Sequence, residues 1–240
     1  MEAILNALAA PNAFAEDRNR SKILLPIFVA IGISLLGMLI MAPATMDMIT
    51  KQSNSSATVG NNVYAVYYGF GMVSILVSIL VKWAFATFFL GTALQFAKQP
   101  KTLIDEENNL VELPQIEYGG ILQLVAYSGL ILSFESLAKG FAVVIKNSKN
   151  MIVSVQDLDV AIGLNLFVEK MNIGAFLYAF LGEINPITMW GYGVLAFWIV
   201  RIYRIRPVLA YGTVGGLWLL CTIFTAAVQQ FNANMTGAVR

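Results

Sequence analysis

Three ionisable side chains, Lys82, Glu135 and Lys139, stand inside or beside long apolar runs. Glu135 and Lys139 are four residues apart, a spacing that lets them pair across one helical turn. An ionised group surrounded by lipid is costly unless it pairs or faces water. Such residues therefore mark either structural ion pairs or pathways for ions and protons. Lys82 offers Glu135 a second partner: it lies about 22 Å along its helix from Ala97, and Glu135 lies about 24 Å from Gly119. If Ala97 and Gly119 mark one plane, the two meet at similar depth. The plainer reading is that Lys82-Trp83 marks a membrane interface, with the rest of that helix lying flat. Tyr127 and Ser128, on the same run as Glu135, are candidates for a polar contact between helices or for ordinary packing.

The absences narrow the chemistry further. The chain has no histidine and one cysteine, Cys221, so His-based acid–base catalysis and His-ligated zinc are excluded. No glycine-rich phosphate loop ending in Gly-Lys-Ser/Thr occurs. A net charge of +1 supplies no basic stripe for nucleic acid. No cofactor is expected, and the bare catalytic inventory reads as non-enzymatic. Cys221 reads as small apolar packing.

The elements that must position these groups are membrane spans. Hydrophobic residues make up 58% of the 240 and charged residues 12%, about half the charge of a soluble domain. The expected fold is all-α and polytopic: five transmembrane helices with one extra amphipathic helix on the outer face. The spans are read at Ile23–Pro43, Val63–Ala97, Gly119–Ile145, Ile184–Tyr203 and Pro207–Val228. Polar loops fall at 45–62 and 98–118, the latter a solvated connector or a site for a basic partner. Ser154 to Asp157 reads as a capping box opening a polar outer-surface helix through Asn172, followed by a short apolar piece from Ile173 to Leu181. Residues 1–22 read as a cytoplasmic juxtamembrane segment with a short surface helix rather than a signal peptide. Residues 23–230 form the single membrane domain and 231–240 an outer tail. Tyr64, Tyr67 and Tyr68 suit an aromatic belt, and Trp190 and Tyr192 interface anchors. Gly212 and Gly216, with Gly215 beside them, read as a close helix contact, and Gly32 with Gly37 as a weaker one.

Lysine and arginine counts favour a cytoplasmic N-terminus, eight against five, with Arg201, Arg204 and Arg206 in one tight turn the strongest element. Those arginines also suit anionic lipid. Five crossings then place the C-terminus outside the cytoplasmic (inner) membrane.

Several segments occur in an order that resembles the Yip family of Rab/Ypt-interacting membrane proteins, in its bacterial form. Ala10-Pro11-Asn12-Ala13-Phe14 is similar to the proline-phenylalanine element before that family's first span. Ala126-Tyr127-Ser128-Gly129-Leu130 resembles its tyrosine-centred stretch, and Glu183 to Trp190 its acidic-to-tryptophan boundary, with Asn185 where an aspartate is usual. The likeness covers nearly the whole chain. It implies an accessory or assembly factor for another membrane protein, an ABC-type exporter in bacteria or small-GTPase trafficking in eukaryotic relatives. The expected partners are the lipid bilayer and an exporter subunit or a second copy, with no nucleic acid. From the residues alone a different class stays open: a small transporter or channel using Lys82 and Glu135, which requires a water-accessible cavity reaching Glu135.

Overall fold

The structure, a computed structural model, describes residues 24–52, 61–97, 102–104, 110–112, 115–149, 151–152, 158 and 160–235. The expected N-terminal surface helix and the capping box at 154–157 lie outside these residues, as does the tail beyond 235.

Among the described residues six α-helices follow one another: α1 (Leu24–Gln52), α2 (Asn61–Gln95), α3 (Tyr118–Ser148), α4 (Lys170–Gly182), α5 (Pro186–Tyr203) and α6 (Pro207–Met235). A small antiparallel hairpin pairs β1 (Thr102–Ile104) with β2 (Leu110–Glu112) between α2 and α3, in the segment read as a connector. Four helices, α1, α2, α3 and α6, are long and apolar enough to cross a membrane. α5 has 18 residues, about 27 Å at 1.5 Å per residue. Trp198, Ile199 and Tyr203 on it are fully buried.

α3 is the central post. It packs broadly on α1 and also on α5 and α2, while α6 packs on α4, α5 and α2. The α1–α3 seam is close because glycines line it. A Cβ on Gly37 would come within 2.6 Å of the Ser136 carbonyl oxygen, and one on Gly140 within 2.9 Å of the Gly37 oxygen. The glycine pair expected to make a close contact, Gly212 and Gly216, has nothing within 4 Å, and neither has Gly32. The seam therefore lies on Gly37 and Gly140, where two backbones meet, and not on the denser glycine cluster.

The main apolar core joins α1, α2, α3, α5 and α6, with Leu90, Leu94, Leu124, Leu130 and Leu217 inside it. Its base is the turn at Arg204-Ile205-Arg206, where Ile205 points in and Arg201, Arg204 and Arg206 are exposed. Arg204 closes α5 with a left-handed φ of 51°. A smaller cluster at the opposite end holds Ala44, Met48, Val143 and Ile152. That cluster corrects the first boundary: α1 continues through Pro43 to Gln52, because Ala44 and Met48 gain tertiary burial the local sequence does not announce.

The polar outer-surface helix expected up to Asn172 is also corrected. Residues 164–167 make one 3-10 turn and the α-helix starts only at Lys170, kinked at Gly174 with φ 80°. The backbone N–H of Gly163 donates to Asn165 Oδ1, so an Asn-centred turn displaces the helix there.

Candidate functional site: a polar cavity within the helical bundle

Between the two apolar clusters lies a cavity of about 420 Å³ bounded by α1, α2, α3, α5, α6 and the α4–α5 turn. Its lining begins with α2, where Ser74, Ser78 and Lys82 follow one another at four-residue spacing and so share one face. From α3 come Ser128, Ser133, Glu135, Ser136 and Lys139, and from α1 Ser34. α5 adds Thr188 and Tyr192, α6 adds Cys221 and Thr225, and the α4–α5 turn adds Glu183. Apolar side chains at the base, among them Trp83, Leu195 and Leu217, belong to the main core.

Glycine makes the base possible. Trp83 lies flat on α3 because residue 129 has no side chain; a Cβ there would run into Trp83 Nε1 and Cε2. Trp83 is consequently buried at 8% exposure. Lys82, on the adjoining face, is exposed and lines the cavity.

The charged groups are arranged in two ways. Lys139 Nζ is 2.6 Å from Glu135 Oε1, the i,i+4 pair. The other carboxylate oxygen, Oε2, accepts from Thr188 Oγ1 at 3.4 Å, tying α3 to the first turn of α5. Glu135 is 17% exposed and Lys139 43%, so the pair spans the change from enclosed to open. Lys82 and Glu183, in contrast, take part in no ion pair within 4 Å among the described residues. Of the two pairings open to Glu135, with Lys82 or with Lys139, the one formed is with Lys139, while Lys82 lines the same cavity.

Glu183 is held by a turn with its own architecture. Asn185 caps α5: its Oδ1 accepts from the Thr188 N–H and its Nδ2 donates to the Gly182 carbonyl oxygen, both at 2.9 Å. The Leu164 N–H donates to the Ile184 oxygen at 3.1 Å, and Gly163 lets that strap lie against the turn. Burial pushes the Glu183 carboxyl above its ordinary range and the neighbouring Glu135 adds to the rise, opposed by Lys139 and Lys82.

Of the other sites expected from sequence, Tyr127 is fully enclosed in the main core while Ser128 reaches the cavity. Asn185 sits at the cavity rim as a structural cap, and Trp190 is half-exposed on the outside of α5. Arg201, Arg204 and Arg206 lie away from the cavity at the main core's base. Tyr192, read as an interface anchor, lines the cavity beside the Cys221 thiol. Cys221 likewise lines a polar space instead of filling an apolar one. Sequence reasoning also passed over Glu183 and the serines of α2. The Ser74–Ser78–Lys82 period was a usable signal, since three polar residues on one face of an apolar helix need a polar neighbour.

Among the described residues no cluster of three or more acidic, histidine or cysteine side chains is arranged to hold a metal ion. No family model matches the chain, no curated protein resembles it in sequence, and no solved structure matches it.

Proposed function

We propose that this is a non-enzymatic helical membrane protein that admits a small polar solute into the cavity between α2, α3, α5 and α6, as a small transporter or channel. The observation that carries this reading is the cavity itself. Two carboxylates, two ammonium groups and a lining of hydroxyls surround a space within a bundle whose outer faces are apolar. A bundle needing only stability would fill that volume with apolar side chains, since ionisable groups at membrane depth are costly without water or a ligand.

The full topology belongs to the same proposal: five crossings, with α5 as the enclosed fifth span and α4 with its strap packed on the outer face. The N-terminus and the Arg201–Arg206 turn are cytoplasmic in the inner membrane. The α4–α5 turn contributes Glu183 to the wall of the cavity.

Cys221 provides the test, being the single thiol and a lining residue. A charged, membrane-impermeant methanethiosulfonate should modify it in proteoliposomes, and the reconstituted protein should pass small solutes that Glu135→Gln slows. A thiol that stays inert to every water-borne reagent would overturn the reading.

The partner role implied by the Yip resemblance is favoured by a separate observation. Gly212, Gly215 and Gly216 leave part of α6 open, with nothing packed within 4 Å. Small residues of this kind permit close helix approach in a bilayer. On that reading an exporter subunit or a second copy covers the face. Recovery of the chain alone from several mild detergents would count against it.

A further inference from the structure

We infer that the cavity takes a zwitterion, with its anionic group at Lys82 and the serines of α2 and its ammonium group at Glu183 beside Glu135. The inference rests on the solute-binding reading above and names the class of solute.

Four charges line the cavity and sum to zero, but they are not equivalent. Glu135 and Lys139 neutralise one another at 2.6 Å, and Thr188 holds the second carboxylate oxygen. That leaves one cation, Lys82 on α2, and one anion, Glu183 in the α4–α5 turn, on different walls of the same space. Each influences the other, yet they are too far apart to pair within 4 Å. A positive and a negative group, each without an ion-pair partner among the described residues and separated by a gap, present the complement of a dipolar ion. A monoanion would satisfy Lys82 and leave Glu183 opposed only by distant charge, and a monocation the reverse.

Hydroxyl groups extend both ends. Ser74 and Ser78 continue the Lys82 face and can donate to carboxylate or phosphate oxygens, while Thr188 and Tyr192 flank the acidic end. The volume of about 420 Å³ lies within the range of small-molecule sites. The same chemistry is offered by a free amino acid and by the headgroup of an aminophospholipid.

Protection of Cys221 from a small methanethiosulfonate reads occupancy without any substitution. In detergent, ω-amino acids of increasing length, from glycine to 6-aminohexanoate, should slow the modification, one length most of all. Butyrate and butylammonium, the halves of 4-aminobutyrate, should not. Phosphoethanolamine in detergent, and nanodiscs of phosphatidylethanolamine against phosphatidylglycerol, separate the two sources; protection in either arm supports the inference. Lys82→Gln and Glu183→Gln should each weaken protection about tenfold or more, the effect of losing one charge-assisted contact. Equal protection by butyrate or butylammonium overturns the inference, as does protection that neither variant weakens. So does a Cys221 that is labelled from water but shielded by no zwitterion, an outcome that leaves the solute pathway standing. Variants that fail to fold do not remove the test, because the wild-type protein alone distinguishes a zwitterion from its two halves.

Discussion

Asn185 uses one amide to hold both sides of the α4–α5 turn, donating back to Gly182 and accepting from Thr188. With 2% exposure, neither bond can be replaced by bulk water. Asn185→Ala should therefore cost about 1–2 kcal/mol, a cap lost in a buried setting, read as a lower midpoint in detergent melting. Asn185→Asp keeps the acceptor and should recover part of the loss. Two residues earlier, Glu183 ties stability to pH. Its folded carboxyl holds a proton above the ordinary value of 4.5, so the folded state binds protons more tightly than the unfolded chain. The stability this contributes is full below that ordinary value and is lost as pH rises through the raised one. Glu183→Gln should flatten that fall at pH values above the ordinary 4.5; an unchanged profile would deny Glu183 its part. The sequence showed both residues but not their work. Asn185 stood out as a departure from a motif and Glu183 only as a neighbour, because burial by a strap at Gly163 is a long-range fact.

At the scale of the helices, glycine decides which faces meet. Gly129→Ala would press a methyl group into the Trp83 ring, whose own position is fixed by the core. A loss of about 1–3 kcal/mol follows from overpacking, with a change in Trp fluorescence as its reporter. Gly37→Ala should be as harmful, since the obstructing atom is the Ser136 carbonyl oxygen on a helix backbone. Gly212→Ala, with open space beside it, should leave the isolated protein's melting unchanged. The contrast illustrates what a sequence can disclose about helices. Their existence was legible from apolar runs, and α2, α3 and the start of α6 fall within a few residues of the expected spans. Which glycine faces a partner was not, for it depends on the rotation of one helix against another. The polar period of α2 was legible in principle. A single serine in an apolar run costs little, so Ser74 and Ser78 carry a signal only when taken together with Lys82.

Considered as a whole, the molecule joins a tight apolar base to a looser polar upper region. Trp198, with no exposed surface in the base, should cost about 3–5 kcal/mol when replaced by Ala, enough to lower the yield of folded protein. The proposed orientation gives a second expectation. In a Cys221→Ser background, a thiol introduced by Arg204→Cys should react only from the cytoplasmic side of intact cells; reaction from outside would invert the topology. Helical membrane character was readable from composition, because a chain with this little charge cannot clothe itself in water. The cavity was not readable, since it exists only where five helices fail to close.

One of those helices behaves like a footbridge. Between its rests, Gly71 against Met38 of α1 and Trp83 against Gly129 of α3, α2 runs about 18 Å with Ser74, Ser78 and Lys82 on its underside. Val73, Val77 and Leu80, turned away from that underside, are exposed to whatever surrounds the protein. In the proposed bilayer setting acyl chains would press on this girder, and a thicker or stiffer bilayer would bear on the space beneath it.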